Sequence, residues 1–276
     1  MNEDDRYRVQ SLGRALDIVE LIAAAGRHGS RLTDLAQEVG ISKAAAYAII
    51  QTLIARGVLS ASGEGMTKRY HLGLSLVRLG DLAVSGTGIA DAAMPILRQL
   101  TQTIGMTSRI AVWDEDAAVV VARADAPDSV RFDEALGRRE RPYCSAVGKV
   151  FLAAMPRPDA LDILERTGYP ARTPRTLHTI TALQADLDAT RARHYGIDDE
   201  EDHEGISCVA AGVFGYDGAA IAAISVTTLK QLLPDAAVPA LAGAIIEHAN
   251  RVSAALSGVS AAQAWPMRTR PDFNLR

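Results

Sequence analysis

Cysteine and aromatic side chains are scarce in this chain, and the scarcity narrows what it can be. Two cysteines in 276 residues, Cys144 and Cys208, are too few for a disulfide scaffold, so a cytoplasmic protein is the simple expectation. Aromatic residues make up 5% of the chain, and burial falls to Ala, Val, Leu and Ile within a hydrophobic fraction of 48%. No apolar run approaches the length of a membrane span. The opening MNEDDRYRVQ lacks the apolar centre of a signal peptide, so no membrane partner is expected. An overall excess of positive charge is also missing, the formal net charge being −4. The length suits two modest domains.

The charge is unevenly spread. Residues 1–75 hold nine Lys and Arg against eight Asp and Glu, whereas the remainder holds twenty against twenty-five. Between Ser42 and Arg69, the cations Lys43, Arg56, Lys68 and Arg69 face only Glu64. Phosphate neutralisation supplies much of the free energy of DNA binding, so so weakly basic a module would need two or more copies.

That same stretch is patterned as a winged helix-turn-helix. Thr33 and Asp34 open a short helix, Leu35, Ala36 and Val39 give it an apolar face, and Gly40 closes it. Ser42 caps a second helix, Lys43 to Arg56, that stops at Gly57. Its Ala46, Ile49, Ile50, Leu53 and Ile54 follow helical spacing and face a core, leaving Ser42, Lys43, Ala44 and Tyr47 on the open amino-terminal half. Two strands around a Gly63-Glu64-Gly65 turn, the second running from Lys68 to Leu72, make a wing with cations near its tip. Recognition helices present their first turns to base edges, helix starts favour phosphate oxygens, and an Ala methyl can touch a thymine methyl. An ordinary helical hairpin is the bland alternative, and the wing weighs against it.

Ser11 is placed to cap a first helix through Ala25, and Gly73 to Ala83 reads as a helix before a Ser85-Gly86-Thr87-Gly88 break. Further on, Met94–Ile104 is helical with Pro95 in its first turn, Ser108–Trp113 and Ala117–Ala124 are strands, and Ala146–Met155 and Asp159–Arg166 are helices. Thr181 begins a capping box for a helix that Gly196 stops. Ile206–Phe214 and Ala219–Thr228 flank a Tyr216-Asp217-Gly218 turn, and Ala236–Leu256 is the final helix. Hairpins interspersed with helices imply an α+β fold on an antiparallel sheet, in a multidomain chain.

These residues resemble the IclR family of bacterial transcriptional regulators. The resemblance lies in Ser11-Leu12-Gly13-Arg14-Ala15-Leu16, Leu32-Thr33-Asp34-Leu35-Ala36, the Lys43–Leu53 helix and Arg69-Tyr70-His71-Leu72-Gly73. It continues in Ser145-Ala146-Val147-Gly148-Lys149, Thr173-Pro174-Arg175-Thr176, Tyr195 to Glu201 and Gly205 to Ala211, in order over roughly residues 11 to 257. It implies a winged domain (1–73), a linker helix (74–90), a GAF-like effector-binding domain (91–258) and, beyond it, a flexible tail (259–276). Dimers or tetramers on double-stranded operator DNA are implied too. Two departures matter. Ala48 stands where the family often carries Arg after the recognition-helix tyrosine, and β-branched Val147 precedes the Gly-Lys pair.

The DNA-contacting candidates are Arg14, Thr33, Ser42, Lys43, Ala44, Tyr47, Lys68 and Arg69. For the effector, the resemblance carries a contact role onto Ala146, Val147, Asp198, Cys208, Ser225 and Thr227. Residue chemistry adds the backbone of Ser145 to Gly148 at a helix start, with Phe132 and Ile206 as apolar walls. Ser225 and Thr227, two apart on a strand, can both donate to a carboxylate. The ligand expected is a small organic acid, aromatic acids included, or a related amide or ester. Bland readings stand beside these: Ser225 and Thr227 as solvent-facing, Cys208 as core, and Asp198–Glu204 as a solvated loop. His203 in that loop invites a metal site, but no second ligand pair has suitable spacing, and no metal or cofactor is expected. A cysteine enzyme using Cys144 or Cys208 with His178 or His203 is the rival class, and no local signature joins them. The expected function is a ligand-responsive repressor of a catabolic operon, with an activator as the alternative of opposite sign.

Overall fold

The computed structural model describes residues 9–85, 88–126 and 136–257, and its chain forms two compact units, 1–86 and 87–276. Phe132 and the 259–276 tail lie outside the described residues.

In the first unit, α1 (Gln10–Ala24), α2 (Leu32–Glu38) and α3 (Lys43–Ala55) are followed by β1 (Leu59–Ser62), β2 (Arg69–Leu72) and α4 (Ser75–Ser85). Ile18, Ile22, Leu35, Ile50, Leu59 and Tyr70 close its core. The two strands pair antiparallel with Leu59 opposite Leu72 and Ser62 opposite Arg69. Gly63 takes a φ of +73° in the wing turn, and a Cβ there would stand 2.7 Å from the Thr67 carbonyl oxygen. Ser11 does not cap α1: the N-cap is Val9, without a side-chain hydrogen bond, and Ser11 lies in the first turn. Apolar packing of Ile18 and Ile22 sets that helix, and its start lies two residues earlier than a Ser11 cap would place it.

The second unit is α+β. Its six-stranded antiparallel sheet has the order β5-β4-β3-β8-β7-β6, with β3 Ser108–Asp114, β4 Ala117–Ala124, β5 Arg139–Glu140, β6 Gly196–Asp199, β7 Ile206–Phe214 and β8 Ala220–Leu229. Alternation along the strands sends Ile110, Val209, Ile224 and Val226 to one face, where α5 (Ile89–Ile104) and α9 (Val238–Ser257) supply Leu97, Leu100, Ile245 and Val252. The other face presents Ala111, Cys208, Ala210 and Ala223 to Val147, Val150 and Phe151 of α6 (Ala146–Ala154). Small side chains on the strands let this wholly buried helix lie close. Outside it, α7 (Arg157–Thr167) and α8 (Ile180–Arg193) cover Leu152 with Leu164, Leu183 and Leu187.

Three local expectations are corrected. α5 starts at Ile89, so Pro95 falls in the second turn rather than the first; its ring faces solvent, where losing one N–H is least disruptive. Thr179, not Thr181, caps α8, its hydroxyl accepting from the Ala182 N–H at 3.3 Å. That helix ends at His194 in the left-handed region, and Gly196 opens β6 instead of stopping the helix. Gly196 answers to packing, because a Cβ there would lie 2.4 Å from the Ala146 carbonyl oxygen. The close approach brings β6 under the start of α6. Two short strands, β5 and β6, were not anticipated.

Candidate DNA interface and effector cavity

The first unit presents the start of α3 bare. The Ser42 hydroxyl accepts from the Ala45 N–H at 3.2 Å and ends the helix neatly. Ala46 and Ile50 are buried, while Ser42, Lys43, Ala44, Ala45, Tyr47 and Ala48 are exposed, so one side of the helix is core and the other open. With Ala at position 48, Lys43 is the only cation of that open face. Thr33 is exposed at the start of α2, its hydroxyl donating to Asp34 at 2.9 Å, and Arg14 is half-buried on α1. The wing cations are less free than their spacing implied. Arg69 donates to the Gly29 carbonyl at 3.2 Å, and the Lys68 ammonium lies 5.8 Å from the centre of the Tyr70 ring. Both are half-buried because the wing folds back on the Gly29–Ser30 turn, where Ser30 pairs with Tyr70.

In the second unit a small cavity of about 20 Å³ lies between the start of α6, the sheet and the segment after β6. It is lined by Arg109, Glu140, Ser145, Ala146, Val147, Asp198, Asp202, His203, Ile206, Cys208 and Ser225. Seven sequence candidates are thus brought together: Ser145, Ala146, Val147, Asp198, Ile206, Cys208 and Ser225. Ser225 is buried, not solvent-facing. Gly148 and Thr227 are not among the lining residues. A Cβ on Gly148 would meet Pro142 backbone at 2.6 Å, so Gly148 lets the turn before α6 pack. Thr227 stands behind Arg109, whose guanidinium donates to its hydroxyl, and beside Cys208, with Sγ and Oγ1 3.1 Å apart. Sequence reasoning missed Arg109, Glu140 and Asp202; a lone Arg in the apolar run Ile110-Ala111-Val112 was the available signal.

Charge dominates this cavity. Asp198 accepts from the Glu201 N–H at 2.8 Å and the Asp202 N–H at 3.3 Å, tying down the loop after β6. Burial nevertheless pushes its carboxyl up to about 7, with nearby Glu201 adding to the rise. Asp202 is pushed up by burial but ends below the ordinary carboxylate range, held there by Arg172, His203 and Arg141. Arg172, Arg141 and Arg138 reach it at 2.6, 3.1 and 3.3 Å. Behind the wall, the fully buried Lys149 ammonium meets Glu201 at 2.5 Å, Asp186 at 2.8 Å and the Ile197 carbonyl at 2.9 Å. It pins α6 to β6 and α8. Burial raises both thiols, Cys208 to about 12, which leaves them protonated and unsuited to nucleophilic attack. Among the described residues no group of three or more His, Cys, Asp or Glu is placed to hold a metal.

A winged helix-turn-helix in one unit and a small, charged cavity in another define a ligand-sensing DNA-binding regulator. The comparisons with known proteins agree. Residues 11–63 match the IclR helix-turn-helix domain and residues 82–254 match the bacterial transcriptional regulator IclR C-terminal domain. The HTH-type transcriptional regulator BhcR of Paracoccus denitrificans is 32% identical over 92% of this chain and 89% of its own. The transcriptional repressor IclR of Escherichia coli is 30% identical over 91% of this chain and 92% of its own. An IclR homologue from Microbacterium hydrocarbonoxydans, solved with 4-hydroxybenzoate, superposes with a TM-score of 0.73 over 89% of this chain and 98% of that one, at 19% identity. The chain belongs to the IclR family of bacterial transcriptional regulators, and is a regulator rather than an enzyme.

Proposed function

We propose that this regulator is a cytoplasmic repressor, working as a homodimer or homotetramer, that leaves its operator when a small organic acid or a related amide or ester enters the cavity. The observation that carries the DNA-binding half is the open start of α3, with Lys43, Ala44 and Tyr47 exposed above a buried Ala46 and Ile50. Repression is the sign borne by the name of the E. coli relative, and an aromatic acid is the compound held by the Microbacterium neighbour. The domains assigned are a winged domain at 1–73, a linker at 74–90 and an effector domain at 91–258. Lys68 supports wing contact with backbone or minor groove, Arg69 only if it releases Gly29, and Arg14 and Thr33 suit phosphate positioning. Ligand acts by shifting the population of oligomer geometries, which requires unequal affinity for them.

A cavity with room for about one water has to open for any such ligand. Fluorescence anisotropy with the promoter-side DNA of the chain's own gene, titrated with small acids, tests the whole reading. Release of DNA by an acid supports it; tighter binding would make the protein an activator or co-repressed. Lys43→Ala should weaken operator binding by about 1–3 kcal/mol and relax base discrimination. Equal losses on operator and random DNA would demote Lys43 to a phosphate contact.

A further inference from the structure

We propose that Arg31, a residue outside every pattern in the sequence, binds a phosphate of the DNA backbone and is held in place for it by the packing of its turn against the wing. This rests on the DNA-binding reading above and extends that surface beyond the start of α3 and the wing tip.

Arg31 stands where a cation is unwelcome. It is the N-cap of α2, a position that favours Ser, Thr, Asp or Asn, and its side chain makes no hydrogen bond to the helix. The positive end of the helix dipole also disfavours a guanidinium there. Its cross-strand neighbour is a second cation. Ser30 and Tyr70 exchange both backbone bonds, at 3.0 and 2.9 Å, in an antiparallel bridge. One step along that register sets Arg31 beside Arg69, and like charges facing each other across strands repel. Arg31 is exposed, and no hydrogen bond or ion pair ties its side chain to another among the described residues. The nearest acid in the sequence, Asp34, accepts instead from the Thr33 hydroxyl at 2.9 Å. A phosphate beside the two guanidiniums turns the repulsion into attraction.

The turn that carries Arg31 is pressed onto the wing. Gly29 has a φ of +60°, and a Cβ there would lie 2.5 Å from the His71 ring and 2.7 Å from the Tyr70 carbonyl oxygen. His71 is itself fixed, its Nε2 2.8 Å from the Ser62 hydroxyl. Arg69 donates to the Gly29 carbonyl at 3.2 Å, which keeps it from reaching outward and makes it a stationary charge beside Arg31. Gly29 and Arg69 are therefore positioning residues, and Arg31 is the contact. The open face of α3 carries Lys43 alone, so the neutralising of phosphates falls to cations elsewhere in the unit. A guanidinium at this place takes a phosphodiester and reads no base. Arg27, on the same turn and also exposed, supplies the control. The antiparallel sense carries it toward the base of the wing, away from Arg69.

The test is fluorescence anisotropy of the full-length protein on two duplexes of equal length, the promoter-side DNA of its own gene and a random sequence. Salt is varied from about 50 to 300 mM. Arg31→Ala should weaken binding to both duplexes by about tenfold at the lower salt, the worth of a charge-assisted bond. It should also lower the slope of log affinity against log salt by about 0.9 for each protein copy on the DNA. Arg31→Lys should keep most of the affinity, Arg31→Glu should lose more than Arg31→Ala, and Arg27→Ala should match wild type. Far-ultraviolet spectra and melting temperatures establish that each variant is folded. Should Arg31→Ala fail to fold, Arg31→Gln, which keeps length without charge, takes its place. An unchanged slope in the uncharged variant, a loss confined to the operator, or an equal loss from Arg27→Ala overturns the proposal. The DNA-binding reading then still stands on the loss of operator affinity in Lys43→Ala. If wild type binds neither duplex, that reading falls and takes the proposal with it.

Discussion

Asp198 carries the sharpest electrostatic conflict at the residue scale, because it is buried, near Glu201, and still accepts two backbone N–H groups. Its carboxyl is raised in the folded state to about 7 from the ordinary value of 3.8. The folded chain therefore holds a proton that the unfolded chain has lost, and the stability this proton brings is complete below the lower value and lost as pH rises through the upper. Asp198→Asn keeps an oxygen for both N–H groups and removes the titration. Melting temperatures of variant and parent should thus diverge between about pH 4 and pH 7 and stay apart above that, the variant gaining on the order of a few kcal/mol at the alkaline end. A constant difference across that range would show that Asp198 ionises normally. Asp198 itself was legible from the family-like Gly-Ile-Asp-Asp-Glu-Glu run. Arg109 was not read as a site residue, since a single charge in an apolar strand gives no spacing to match.

At the scale of elements, local chemistry and packing divide the work. Ser42 is a cap in the ordinary sense, and Ser42→Ala should cost about 1 kcal/mol of stability in urea unfolding, a loss that Ser42→Asp would largely avoid. An unchanged midpoint for Ser42→Ala would mean that the hydroxyl does not hold the helix end. Gly196 is the opposite case. Its Cβ would strike the carbonyl of Ala146, so Gly196→Ala should destabilise by about 1–3 kcal/mol and shift the near-ultraviolet spectrum of the second unit. A fully stable Gly196→Ala protein would contradict the close approach of β6 to α6. The helices α2 and α3 and the strands β7 and β8 were legible, because caps, breaks and alternation all coincide there. β5 and β6 were not: at two and four residues, and largely polar, they are strands only because neighbouring chain offers them an edge.

At the scale of the whole molecule, the first unit carries exposed large apolar side chains at two of its helices. Val9, Leu12 and Leu16 are more than half exposed at α1, as are Leu74 and Val77 at α4. Exposed apolar side chains of this kind suit an association surface, and the homo-oligomer proposed above would cover them with a second copy while doubling the cations offered to DNA. Leu16→Glu should shift the mass measured by light scattering toward monomer, leave the far-ultraviolet spectrum unchanged, and lower the salt dependence of DNA binding. An unaltered mass would show that Leu16 does not hold copies of the chain together. No helix among the described residues is long and apolar enough to cross a membrane.

Sequence alone determined the class of this protein: helix caps, glycine breaks and apolar periodicity are short-range signals, and they sufficed for a winged helix-turn-helix followed by an α+β unit. The tertiary structure decided what faces what. It took Arg69 partly out of the wing's open surface, set Thr227 behind a guanidinium, and put Arg109, Glu140 and Asp202 on the wall beside Asp198. Those residues are far apart in the chain, and only strand register and the burial of charge, which no local pattern encodes, bring them to one cavity.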